Sequence, residues 1–560
     1  MSAIATNARR AAAAAFFVFC GCAAAQLGSP EIDTGRVEKH AVVAQRFMVA
    51  AADPQAVEAG FEILRAGGSA ADAAVAVQLV LGLTEPQSSG LGGGAFVLYW
   101  SEKEKRVRSY DGRETAPAAA RHDRFLDRRG NPEELMLAVA SGRAVGVPGV
   151  PGLLERLHRE HGRLPWGRLF EPAIRLAEGG FAKTRRLTRL LEREQLLRED
   201  PAARALFYSG PRVVNQDYAE TLRTLATKGA DAFYLGPIAA DIVRAVRTHA
   251  RPGDMTLADL ASYRVEKREA VCGGYRGYRL CGMGPPSSGG IGILQMLGLL
   301  ERTAFAAAKP GSAEAVHLFS EAARLAYADR LRYVADPAFV PQPVAKLLDA
   351  KYLDARAKLI GERSMVFALP GELDAEAAGT SHLSIVDAAG NAVAMTTTIE
   401  HAFGSRILVR GFLLNNQLTD FGFLPTIAGR PAVNRVEPGK RPRSSMSPTF
   451  VFDAAGRLRM AVGSPGGLAI INYVAKTLVA TLDWGMDIQE GISLPNFGST
   501  NGPTFLERGT AYEELGDALA ERGHVLNYTP LTSGLHGIER VPGGWRGGAD
   551  PRREGIAAGD

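Results

Sequence analysis

The chain has 560 residues, 46% of them hydrophobic and 22% charged. That is ordinary globular usage, roughly three to four domains' worth of chain, and it excludes wholesale disorder. The 63 Gly and 31 Pro show no period, which excludes collagen, and a net charge of +5 with no dense basic block gives no reason to expect a nucleic-acid partner.

Arg9-Arg10 precedes an apolar run, Ala11–Ala25, that closes in three alanines. A basic start, an apolar stretch of about 7–15 residues and an A-x-A end read as a secretory signal over residues 1–25. The plainer alternative is an Ala-rich helical tail. The run is too short for a membrane span, which needs about 20 residues, so the expected destination is the periplasm or the exterior. Cys22 behind Gly21 also offers a lipid-anchoring site, although Phe19 stands where Leu is usual.

Residues 55–83 predict two helices. Ala56–Arg65 ends at Gly67-Gly68; Ser69 with Asp72 three residues on then caps a second helix continuing to Leu83, before Pro86. Phe96–Trp100 and Arg106–Tyr110 predict a strand pair. Residues 150–250 are charged and helical in pattern. Within them His158 and His161 read as a solvated helix face, and no metal site is expected. VCGGYRGYRLC places Cys272 and Cys281 on two short strands, which suits either a disulfide or two free thiols. PPSSGG, 285–290, is a turn before a helix at Ile291–Leu300, and another helix follows near Ala313–Asp329.

From residue 380 the pattern alternates. SHLSIVD and AVAMTTTI form a hairpin about Ala389 that sets Thr380 opposite Thr398. A second hairpin, Thr449–Phe452 with Leu458–Val462, and a helix, Leu468–Leu482, come next. Helices, strands and helices in that order indicate a sandwich of sheets and helices rather than a regular βαβ repeat. The run Gly90–Ala95 follows a helix and precedes a strand, the wrong context for a dinucleotide loop. No GxSxG is present, since Val462 opens VGSPG, which argues against a serine-hydrolase elbow. On spacing alone, Thr380 facing Thr398 is an ordinary cross-strand pair.

The assembled motifs say more. GFEILRAGGSAADAAVAV (60–77), TEPQSSGLGGGAF (84–96), YDGRETAP (110–117), GVPGVPG (146–152), PPSSGG (285–290) and GTSHLSIVDAAGNAVAMTT (379–397) are joined by FGS (403–405), LLNNQLTDF (413–421), PGKRPRSSMSPTF (438–450), GSPGG (463–467) and DPRREG (550–555). Together they resemble the γ-glutamyltranspeptidase (glutathione hydrolase) family of N-terminal-nucleophile hydrolases along nearly the whole chain.

The resemblance implies an α+β fold, a four-layer αββα sandwich assembled from two autoproteolytic fragments. It places the self-cleavage between Gly379 and Thr380, giving a large subunit, 26–379, and a small catalytic subunit, 380–560, that stay associated as one folded domain. Thr380 is then the nucleophile and Thr398 the residue that orients its hydroxyl. Gly466 and Gly467 are the oxyanion pair. Arg113, Ser444 and Ser445 match the grip on the substrate α-carboxylate; Asp420, Gln417 and Glu400 match the ammonium side. Well-studied members mostly carry Asn at the position of Glu400. The implied substrates are glutathione and related γ-glutamyl compounds, with water, amino acids or dipeptides as acceptors, and no cofactor or metal. Two alternatives stay open: a glutaryl- or cephalosporin-type acylase on the same machinery, and a non-enzymatic relative that binds γ-glutamyl peptides.

Overall fold

The computed structural model describes residues 32–369 and 379–560. The expected leader, 1–25, and Cys22 lie outside the described residues. Fourteen strands build the two main sheets. They are β1 (Val42–Ala44), β2 (Met48–Ala51), β3 (Gly94–Ser101), β4 (Arg106–Gly112), β5 (Glu266–Arg268), β6 (Val271–Tyr275), β7 (Tyr278–Gly282), β8 (Gly379–Val386), β9 (Ala392–Glu400), β10 (Thr449–Phe452), β11 (Leu458–Gly463), β12 (His536–Val541), β13 (Gly544–Ala549) and β14 (Ile556–Gly559). One seven-stranded sheet runs β14-β2-β8-β9-β3-β4-β5 and the other β1-β13-β12-β11-β10-β7-β6.

The two sheets pack face to face, with β8 against β11 and β12. On the outer face of the first sheet lie helices α1 (Pro54–Arg65) and α2 (Ala70–Thr84). On the outer face of the second lie α3 (Gly289–Leu300), backed by α4 (Ala313–Tyr333) and α5 (Ile470–Leu482). This is the four-layer αββα sandwich. The expected capping box forms at α2, with Ser69 Oγ accepting from the Asp72 nitrogen and the Asp72 carboxylate accepting from the Ser69 nitrogen.

Strand period sorts the side chains into two cores. Leu383, Ile385, Val393 and Met395 join the core under α1 and α2, while Val386, Ala392 and Ala394 join the core between the sheets. Every second residue of a strand shares a face. Thr380, His382 and Ser384 therefore fall in one row facing the second sheet, beside Thr396 and Thr398. The hairpin register is the expected one from Ser381↔Thr397 to Val386↔Ala392. Beyond it the ladder slips by one residue, so that Gly379 pairs with Glu400 rather than Ile399. The irregularity falls at Thr380, and bulges of this kind re-aim a side chain beside a site.

One reading from sequence needs correction. His158 and His161 are not a solvated face: the His161 ring stacks on Tyr99 at a centroid distance of 3.7 Å and its Nε2 lies 2.6 Å from the Tyr110 hydroxyl, while His158 Nε2 meets the Leu164 carbonyl at 2.8 Å. Helical spacing placed both on one face without revealing that this face lies on a sheet. The choice left open for the cysteines is resolved as a Cys272–Cys281 disulfide across the β6–β7 pair, where the two residues stand directly opposite.

Candidate active site

A cavity opens at the end of the β8–β9 hairpin. It is lined by Arg113, Thr380, Thr398, Glu400, Gln417, Asp420, Ser444, Ser445, Met446, Gly467 and Ile470. Every side chain singled out from sequence is there, although the residues span more than 300 positions of the chain. Gly466 does not line the cavity; it precedes Gly467 at the head of a short 3₁₀ turn, Gly467–Ala469.

Thr380 and Thr398 are both 2% exposed. Thr398 Oγ1 accepts from the Glu400 backbone nitrogen at 2.7 Å, which ties the hydroxyl to the point where the chain leaves β9. Glu400 has φ +76, a left-handed conformation that is uncommon for a non-glycine residue. The glycine-rich run before β3 serves this corner. Gly94 pairs with Thr398, and a Cβ on Gly93 would overlap the Thr398 carbonyl oxygen. Only glycine lets that backbone come so close.

Beneath Thr380 lies His382, with Nδ1 at 2.9 Å from Thr396 Oγ1 and Nε2 at 3.1 Å from Ser384 Oγ. Burial, reinforced by His536, holds its pKa well below the ordinary value. It is a neutral packing residue and does not line the cavity.

Arg113 lines the cavity. The structure buries it completely. Its guanidinium donates to the Asp420 carboxylate, to the Arg443 carbonyl at 2.9 Å and to the Pro442 carbonyl at 3.2 Å. Gln417 Nε2 donates to the same Asp420 oxygen at 2.6 Å. Glu400 accepts from Asn416 Nδ2, and burial first, then the negative charge of Asp420, push its pKa well above the carboxylate range. A cation thus sits at one end of the cavity with two carboxyl groups beside it.

Glu114 stands 4.0 Å from the Arg113 guanidinium, yet neither carboxyl oxygen has a hydrogen-bond partner among the described residues. Burial raises its pKa to about 8, against an opposing pull from Arg113. A carboxyl whose folded pKa is raised binds its proton more tightly in the native state. Its stabilising contribution is whole below pH ~4.5 and is lost as pH rises through about 8. Glu114→Gln should therefore flatten the fall of the melting temperature between pH 5 and pH 9, as scanning calorimetry would show. Equal slopes for the two proteins would contradict this.

The remaining wall comes from two loops. Ser444 and Ser445 follow Arg443 and are held against the cis-Pro286 turn, Ser288 donating to the Ser444 carbonyl from its nitrogen at 2.8 Å and its hydroxyl at 2.7 Å. Gly466 has φ +127, and a Cβ there would strike the Tyr473 ring. Both facts demand glycine.

Away from the cavity, His317, Glu321 and His524 bring potential ligand atoms within 4.8 Å of one another. Their hydrogen bonds already form a closed chain. Arg324 donates to Thr504 Oγ1, which faces His524 Nδ1; His524 Nε2 meets His317 Nδ1; and His317 Nε2 meets the Gly361 carbonyl. Glu321 accepts from Arg324, Ser364 and the Met365 nitrogen. The cluster is satisfied as a clamp on residues 361–365.

Sequence reasoning missed Tyr327 and Arg330 on α4, which reach the two loops of the cavity wall. The helix was visible, but nothing in its spacing pointed to partners more than 100 residues away.

The model of the gamma-glutamyltranspeptidase family matches residues 56–560. A glutathione hydrolase proenzyme of Bacillus subtilis (strain 168) is 35% identical over 551 residues, covering 93% of this chain and 92% of the relative. An acylase ACY 1 proenzyme of Pseudomonas sp. (strain V22) is also 35% identical, over 544 residues, with 93% and 94% covered. Among solved structures, a cephalosporin acylase from Bacillus halodurans superposes with a TM-score of 0.84 at 28% identity, covering 94% of this chain and 98% of the other. Identity alone does not separate the two activities, so the choice between them rests on the cavity.

Proposed function

Because this chain belongs to the gamma-glutamyltranspeptidase family, we propose that it is a self-processing γ-glutamyltransferase and glutathione hydrolase. The observation that carries the choice of substrate is the buried Arg113 beside Asp420, Gln417 and Glu400. A γ-glutamyl group ends in a carboxylate and an ammonium. A guanidinium fork suits the first, and paired carboxyl groups suit the second. A glutaryl group lacks the ammonium: its carboxylate would share Arg113 with Asp420 while bringing no cation to either carboxyl group, an imbalance that a buried site tolerates poorly.

In the uncut chain the Thr380 nitrogen is an amide and cannot act as a base. The Thr380 hydroxyl attacks the Gly379 carbonyl, the chain passes to an ester, and water opens it. Residues 26–379 and 380–560 then remain together, and Thr380 carries a free α-amine of ordinary pKa ~7.7–8.0. That amine takes the proton of its own hydroxyl as Oγ1 attacks the γ-carbonyl. Thr398 orients the hydroxyl, and the Gly466 and Gly467 nitrogens receive the developing oxyanion. Removing one such donor typically costs ~3–4 kcal/mol. The proton passes to the departing amine, cysteinylglycine leaves, and water or an amino acid or dipeptide takes the glutamyl group from Thr380. The leader, 1–25, directs the precursor out of the cytoplasm into an oxidising compartment, and there a disulfide such as Cys272–Cys281 persists. Among the described residues no helix is long and apolar enough to cross a membrane.

Hydrolysis of γ-glutamyl-p-nitroanilide and glutaryl-p-nitroanilide, compared side by side, tests the reading. The γ-glutamyl compound should be the better substrate, and Glu400→Asn should lower that preference by up to about tenfold, the worth of one charged contact. A faster glutaryl reaction in the unaltered enzyme would sink the proposal in favour of an acylase.

A further inference from the structure

Helix α4 belongs to the N-terminal part of the chain, before residue 379, and is buried continuously from Ala315 to Arg330. Tyr327 and Arg330 stand three residues apart, on neighbouring positions of one helical face. The Tyr327 hydroxyl donates to the carbonyl of Leu468, the residue after Gly466-Gly467, and accepts from Asn472 Nδ2 at 3.2 Å. Arg330 reaches the other loop. Its Nε donates to Ser288 Oγ at 2.8 Å and its Nη2 to Ser445 Oγ at 2.9 Å. Ser288 in turn donates to the Ser444 carbonyl.

These contacts have a direction. A serine hydroxyl has one hydrogen and two lone pairs. A guanidinium stays protonated and can only donate. With one lone pair of Ser445 Oγ held by Arg330, the hydroxyl hydrogen turns away from the guanidinium, which leaves it for the cavity that Ser445 lines. At the other loop, the hydrogen bond to the Leu468 carbonyl fixes the Leu468–Ala469 peptide, whose nitrogen donates to the Gly466 carbonyl at 3.1 Å, and so the aim of the two glycine nitrogens.

We propose that Tyr327 and Arg330 are positioning residues, through which one face of α4 sets the oxyanion loop with the first side chain and, with the second, the direction of the Ser445 hydroxyl and, through Ser288, the seat of the Ser444 backbone. The proposal rests on the roles given above to Gly466, Gly467, Ser444 and Ser445. It separates two kinetic terms. The serine pair holds a carboxylate present in both ground and transition states, so its loosening acts on KM. The oxyanion exists only in the transition state, so loosening its loop acts on kcat.

Saturation kinetics of the full, processed enzyme on the γ-glutamyl and glutaryl p-nitroanilides provide the test. Arg330→Met should raise KM about tenfold for both donors, since both carry the carboxylate, with kcat within about threefold. Arg330→Lys, which restores one donor, should recover part of the loss. Tyr327→Phe should lower kcat about tenfold with KM within about threefold. If Arg330→Met does not fold, Ser288→Ala carries the first arm: it leaves the guanidinium in place, and a rise of about threefold in KM at unchanged kcat supports the proposal, while an unchanged KM overturns it. Joint changes of kcat and KM in both variants, tracking a lowered melting temperature, would mean a merely structural role and overturn it as well. An unaltered enzyme that turns over only the glutaryl compound would defeat the γ-glutamyl reading alone, because the Arg330 effect stays readable on that donor.

Discussion

Thr380→Ala should leave the precursor in one piece and without activity. Denaturing electrophoresis should show a single band in place of two, and turnover of γ-glutamyl-p-nitroanilide should fall on the order of 10⁴-fold or more, as when the nucleophile of a catalytic triad is removed. Two losses coincide. The hydroxyl that cuts the Gly379–Thr380 bond is gone, and without that cut no α-amine exists to serve as a base. Folding should survive, because the change removes only a hydroxyl and a methyl group at a 2% exposed position. Thr380→Ser keeps the hydroxyl and should process and react, more slowly. A Thr380→Ala protein that still separates into two bands would place the nucleophile elsewhere.

The second large effect is expected at Arg113. Arg113→Met removes donors to Asp420, to the Arg443 carbonyl and to the Pro442 carbonyl. It also removes the cation that opposes the raised pKa values of Glu114 and Glu400. Charge-assisted hydrogen bonds are worth about 1.5–3 kcal/mol each, so the loss of the fork should raise KM for a γ-glutamyl donor on the order of 100-fold. With that cation gone, the pKa values of Glu114 and Glu400 should rise further, and the melting temperature should drop most at high pH. Arg113→Lys keeps a charge without the bidentate fork and should fall between the two. Saturation kinetics with calorimetry at pH 6 and pH 9 would check this; an unchanged KM in Arg113→Met would remove Arg113 from the donor site.

How far the molecule was legible depended on the distance over which each feature is decided. The capped helix at Ser69, the strand pair at 96–110 and the hairpin about Ala389 are set by neighbours in sequence, and periodicity located them. The slip that pairs Gly379 with Glu400 was not visible, because it depends on the left-handed turn at Glu400 and on Gly93 pressing against the Thr398 carbonyl. The residues around the cavity were found through family resemblance. Spacing alone made Thr380 and Thr398 a common strand pair and GSPGG a turn. The burial of Arg113 and the placement of His161 against Tyr99 belong to tertiary packing, which a one-dimensional pattern does not carry. Tyr327 and Arg330 were missed for the same reason: a helix shows its apolar rhythm in sequence, but not which loops lie across from its polar positions.

Intact-mass spectrometry of the purified enzyme, before and after brief exposure to a γ-glutamyl donor, tests the central claim most directly. The expected spectrum has two polypeptides, the smaller beginning at Thr380. After exposure, the smaller one alone should gain the mass of one γ-glutamyl group, held on its first residue. A single uncut chain that nevertheless turns over the donor, or an acyl group carried anywhere but Thr380, would contradict the account.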